Sequence, residues 1–213
     1  MSTLQSFNSA AGIHANHLRR LSMLGDSAQN ELRTRFLETR PFANRRRYER
    51  FLGAQYAIGC ELKELYFSPL RSSLFPFLEP TGHIRKVEND VRDLGLRPPD
   101  ILRVSVSDDL SPLGLCGALF VAEGLRLMFP YFRKQAEHLG FDGSFGAQHL
   151  SCEAPLIRQR WAGLVMTINS MTLSAGDMLV MAASAERTMQ LVRAALDREM
   201  SEQMDGRRRA LHG

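Results

Sequence analysis

An all-α fold follows from three observations. Across residues 111–150, apolar and small side chains recur at helical spacing through Leu113, Gly117, Phe120, Gly124, Leu127 and Tyr131. No stretch alternates apolar and polar residues with period two for long enough to build a sheet. Residues 102–106 (LRVSV) come nearest and are too short to stand alone. Prolines, glycines and capping side chains divide the rest into helix-length segments.

The elements follow in order. A first helix opens near Asp26, where Asp26 and Gln29 have capping-box spacing, and Pro41 stops it. Ala28, Leu32, Phe36 and Leu37 form its expected buried stripe. A second helix spans about 44–66, capped by Asn44, with Tyr48, Phe51, Leu52, Gln55, Ile58, Leu62 and Leu65 inward. Three prolines make 67–82 a connector with short turns. Residues 83–94 form a helix closed by Gly95. Ser111 caps the long helix, which Pro130 bends near 126–129 by removing a hydrogen bond and crowding the preceding turn. Two further helices, about 156–171 and 175–200, complete the chain.

The two glycines on the long helix leave bare backbone. Glycine costs about 1 kcal/mol against alanine in a helix interior. Either another helix or a flat ligand is therefore expected to approach closely there.

The 213 residues fit one domain, residues 21–200, between a flexible arm at 1–20 and a disordered tail at 201–213. Apolar residues make up 44 % of the chain, and no run approaches the roughly 18 residues of a membrane span. The N-terminus lacks the charged start and apolar core of a secretory signal. Cys60, Cys116 and Cys152 are odd in number and unclustered, as buried thiols in a reducing cytoplasm would be. A net charge of +4, with triplets at 45–47 and 207–209, lacks the aromatic interleaving or reading helix that nucleic-acid binding needs. No membrane or nucleic-acid partner is expected.

Several segments together resemble the bacterial haem oxygenases, in particular the iron-acquisition branch of Gram-negative bacteria. They are ALFVAEGLRL, LGFDGSFGAQHL, RRLSMLG, RPFANRRRYERFLGAQY, ELKELYF and RWAGLVMTINSM. The likeness runs from about residue 18 to about residue 196. It implies a helical bundle in which haem lies between a proximal helix and a long kinked distal helix. In that family a proximal histidine ligates the iron, distal glycines leave room for bound oxygen, and basic side chains pair with the propionates.

Carried over by position, the proximal histidine falls on Gln29, twelve residues before Pro41-Phe42-Ala43. An amide oxygen is a hard, weak donor to haem iron. The first distal glycine is kept as Gly124, but the second falls on Met128, whose thioether can fill the slot or ligate iron. A basic position of the branch is Leu37. Of a basic pair at the end of the distal helix Lys134 remains beside Gln135, and two C-terminal aromatics become Met189 and Val192. His14 and His17 lie in the arm, where His17 is a possible substitute ligand. His149 is expected to be a structural hydrogen-bonder, and His138 exposed. Glu61, Glu64 and Glu123 lack histidine partners at di-iron spacing, so no metal site is expected.

The sequence thus leads to a haem-oxygenase fold with a degenerate, non-catalytic site and no cofactor. Its expected role is that of a cytoplasmic regulatory or ligand-binding protein with a protein partner, such as a sensory or signalling protein. The alternative is a haem-binding or haem-degrading oxygenase, converting haem to biliverdin, iron and CO. It would use Gln29, Gly124, Met128 and Lys134 around the haem, with His17 or Met128 as an unusual ligand.

Overall fold

The computed structural model describes residues 30–31, 33–80, 82–99 and 110–201. Gln29, His14, His17, Ala28, the side chain of Leu32, the Asp26 capping box, residues 102–106, the arm and the tail beyond 201 lie outside the described residues. No strand forms among the described residues; one isolated bridge joins Asp142 to Gly146.

Helix α1 takes in residues 30–31 and 33–39. It ends where Arg40, ahead of Pro41, adopts a positive φ of 44°. Helix α2, Arg45–Phe67, starts at Asn44, whose side-chain oxygen accepts the Arg47 N–H at 3.0 Å. Its expected inward residues, including Tyr48, Phe51, Leu52 and Leu65, are buried. The connector contains one short helix, α3 (Pro69–Leu74). Helix α4, His83–Asp93, is closed by Gly95 at φ 68°. The C-terminal pair is α7, Ala154–Ser170, and α8, Ala175–Met200; α8 is opened by a reciprocal capping box between Ser174 and Asp177.

Helix α5, Pro112–Arg126, is capped by Ser111, whose hydroxyl accepts the Gly114 N–H at 3.1 Å. From Gly114 to Arg126 every residue except the half-buried Phe120 is buried. The single apolar stripe expected from spacing is therefore only part of its buried surface, as for a helix that is hydrophobic all round. Helix α6, Phe129–Glu137, continues after the bend. Contrary to the sequence expectation, Pro112–Glu137 is long and apolar enough to cross a membrane by length and composition. Its most apolar stretch is 72 % buried inside the fold, as suits a core helix.

At Gly117 the close approach is made by another helix. A Cβ on Gly117 would stand 2.1 Å from the Met181 carbonyl oxygen of α8. Nearby, the Ser184 hydroxyl donates to the Gly114 carbonyl at 2.7 Å. Met189 and Val192 are buried farther along α8. On the other flank, Phe36, Phe42, Phe51 and Phe132 join α1, α2 and α6 in one aromatic cluster. All three cysteines are free; burial pushes the Cys116 thiol up to about 11.

Candidate functional site

The bend between α5 and α6 is built from i→i+3 hydrogen bonds. The Leu127 N–H donates to the Gly124 carbonyl and the Met128 N–H to the Leu125 carbonyl, both at 3.2 Å. Pro130 has no N–H to continue the helix, and the chain restarts with the Phe132 N–H donating to the Met128 carbonyl at 3.0 Å. A cavity of about 300 Å³ opens between this bend and the end of α1. Leu37, Arg40 and Phe42 line one side; Met128, Tyr131 and Gln135 line the other.

The structure thus brings Met128 and Leu37 to one cavity. Gly124 is buried one turn before Met128, whereas Lys134 is exposed on α6 and does not line the cavity. Leu37 was expected in the buried stripe of α1 but is 50 % exposed, because the face it occupies borders the cavity rather than a neighbouring helix. Met128 is half-buried and borders open space. Ion pairs tie α1 to α8: Arg35 pairs with Asp197, and the Arg193 guanidinium reaches Glu31 at 2.7 Å.

Behind Gly124 lies a buried charge cluster that the sequence did not reveal. Arg160 of α7 donates to Glu123 through Nη2 at 2.8 Å and Nε at 3.1 Å. The Tyr66 hydroxyl donates to the same carboxylate at 2.7 Å. Arg126 stands 3.6 Å from Glu123 and 5.2 Å over the Tyr66 ring. Burial alone would raise the Glu123 carboxyl, but the Arg126 charge and the Arg160 bonds outweigh it and hold it below its usual range. Burial pushes the Tyr66 phenol up. Glu123 is satisfied by guanidinium and phenol groups.

The loop after α6 is stapled to α4. Asp90 accepts the Gln148 N–H at 2.7 Å, the His149 N–H at 2.9 Å and, at 2.6 Å, His149 Nδ1. Asp93 accepts the Gly146 N–H at 3.0 Å, and Tyr48 donates to the Gly146 carbonyl at 2.7 Å. Gly146 needs its φ of 72°, and a Cβ there would meet Phe141 at 2.9 Å. His149 is thus the structural hydrogen-bonder expected, and its Nε2 is buried without a partner. His138 is exposed. His83, at the start of α4, stacks on Phe129 with ring centroids 5.3 Å apart and meets His149 edge-on at 5.9 Å.

His83 also lines a second, more enclosed cavity of about 120 Å³ between α2, α4 and the α5–α6 bend. Its ring is enclosed although part of the residue reaches solvent. Burial first, then the charges of Arg126, His149 and Lys86, hold its pKa well below 6.5. No cluster of three or more metal-ligating side chains occurs among the described residues.

No protein-family model matches the sequence. The chain is 31 % identical over 156 residues to heme oxygenase PigA of Pseudomonas aeruginosa, an alignment that covers 73 % of this chain and 79 % of that protein. Its fold is similar to that of the NO- and CO-bound heme oxygenase of Neisseria meningitidis, with a TM-score of 0.75 and 21 % identity. That match covers 86 % of this chain and 92 % of the other.

Proposed function

The chain belongs to the haem oxygenase family, and from that premise we propose that it binds haem between α1 and the α5–α6 bend and degrades it to biliverdin, iron and CO. The expectation that it takes no cofactor is corrected by the relationship to heme oxygenase PigA at 31 % identity. That expectation treated Met128 as a plug, whereas Met128 borders a cavity of about 300 Å³.

The observation that carries the reading is this cavity at the bend. Its walls suit a flat apolar molecule: Leu37 and Phe42 face Met128 and Tyr131 across it. Arg40 lines the same space and could pair with a carboxylate at the rim. Met128 and Tyr131 are the side chains on the wall whose atoms can ligate iron, and Gln29 holds the position that the family gives to histidine. Haem is the substrate consumed. The chain orients it between apolar walls. The free thiols accord with a reducing cytoplasm.

A second reading is favoured by the glutamine at position 29 and the thioether at position 128. In it, the chain binds haem without turning it over and works as a regulatory component with a sensory or signalling partner. Haemin titration followed by addition of an electron donor separates the two. One-to-one Soret binding followed by loss of the Soret band and appearance of biliverdin supports the oxygenase. A stable Soret band under the same conditions supports the second reading, and no saturable binding overturns both.

A further inference from the structure

We propose that the surface around the mouth of the slot between α1 and the α5–α6 bend docks a small acidic one-electron carrier protein. The inference rests on the haem reading and adds a partner to it. Two short stripes frame the mouth. Arg33 and Leu37 stand one turn apart on α1, and Arg40 follows at its end; Tyr131 and Lys134 stand one turn apart on α6. Leu37 and Arg40 line one side of the slot and Tyr131 the other, so the stripes run along its two edges. All five residues are exposed, Leu37 by 50 % and Tyr131 by 48 %.

The charge on this face is uncompensated. The side chains of Arg33, Arg40 and Lys134 make no ion pair or hydrogen bond to a described residue. The carboxylates nearby are already engaged: Glu38 lies 3.6 Å from Arg35, Glu137 3.2 Å from Arg133 and Glu49 2.9 Å from Arg45. Single exposed cations are ordinary on any surface. Here three of them ring two exposed apolar side chains at the opening where the edge of a bound haem would meet solvent.

An apolar centre with a charged rim, rich in Arg and Tyr, is the anatomy of a protein interface. Three unpaired cations select an acidic partner, since opposite charges steer the encounter and like charges reject it. The patch is small, which suits a brief redox encounter of under about 1,200 Å² rather than a permanent complex. Oxidation of haem by O₂ to biliverdin, CO and iron consumes electrons from outside the chain. In each transfer the reduced carrier gives up one electron and ferric haem iron gains it to become ferrous; no bond forms or breaks at the face.

The probe is a [2Fe–2S] ferredoxin of net negative charge, titrated into the haem-free full chain and followed by NMR. Saturable shifts are expected at the Arg33, Leu37, Tyr131 and Lys134 amides, and they should vanish at about 0.5 M salt. Arg33→Glu and Lys134→Glu should each weaken docking roughly tenfold at low salt, while Arg158→Glu, exposed on α7, should not. With haemin loaded under CO and without oxygen, reduced ferredoxin should then raise the ferrous–CO Soret band. Arg33→Glu should slow that step without changing haemin affinity. Absent or salt-insensitive shifts, or an equal effect of Arg158→Glu, overturn the face. Binding of phosphatidylserine vesicles in place of ferredoxin overturns the protein partner. Docking without haem reduction overturns the donor role. Failure of haemin to bind overturns the haem reading and the donor role together, while the amide shifts still decide the face.

Discussion

Gly117 of α5 rests against Met181 of α8 so tightly that a Cβ would fall 2.1 Å from the Met181 carbonyl oxygen. No carbon can occupy that point, so Gly117→Ala must force the two helices apart. Overpacking of this kind costs about 1–3 kcal/mol, offset in part by the better helix propensity of alanine. A urea midpoint unchanged from wild type would show that the contact is looser than this geometry.

Asp90→Ala strips the half-buried Gln148 amide and the buried His149 amide of their acceptor. Each donor left unsatisfied in the interior costs about 1–3 kcal/mol. The expected outcome is a loss of roughly 3 kcal/mol, with fast amide exchange confined first to residues 146–149. Uniform loss of protection across all helices would instead mean that the loop and the bundle unfold as one unit.

Protonation of His83 opposes folding. Its pKa in the fold lies well below 6.5, so between that lowered value and about 6.5 the unfolded chain binds the extra proton. The contribution is fully present above about pH 6.5 and is lost as the pH falls below it. Glu123, held below its usual range, contributes stability that disappears only in more acid solution. His83→Phe should flatten the stability profile just below pH 6.5 while leaving the acid limb in place. Parallel profiles for variant and wild type would contradict this.

Gln29→His adds an imidazole at the family's ligand position. With the cavity beside Met128 open, it should tighten haemin binding and sharpen the Soret band. Met128→Gly widens the space at the N-cap of α6, where glycine is tolerated, so its cost is mainly the packing lost. The double variant should exceed the combined effect of the single changes, since both act on one bound molecule. An unaltered Soret band in Gln29→His would place the iron beyond reach of that position.

The helix plan was legible because its signals are local. Asn44, Ser111 and Ser174 each cap the helix that follows, and Pro130 marks the bend to within a turn. The site was legible only in part. Met128 and Leu37 were singled out by position, yet the exposure of Leu37 depends on a cavity that no periodicity encodes. The partners of Glu123 and Asp90 stayed hidden for a related reason. Arg160 lies 37 residues from Glu123 and His149 lies 59 from Asp90, so only the folded bundle brings them together. Gln55 matched the inward pattern of α2, but its place on a cavity wall depends on the glycine one turn away.

If haem occupies the slot as proposed, the ion pairs between α1 and α8 should govern how fast it exchanges. The rear wall is fixed, since α5 is locked to α8 at Gly117. The front wall, α1, is tethered in part by exposed pairs, Arg35 with Asp197 and Arg193 with Glu31. Exposed pairs are each worth roughly 0.2–1 kcal/mol and are screened by salt. Raising the ionic strength should therefore speed haem release by loosening α1 while barely moving the urea midpoint. Asp197→Asn should release haem at the fast rate even in low salt, turning a thermodynamically minor contact into the kinetic latch of the site.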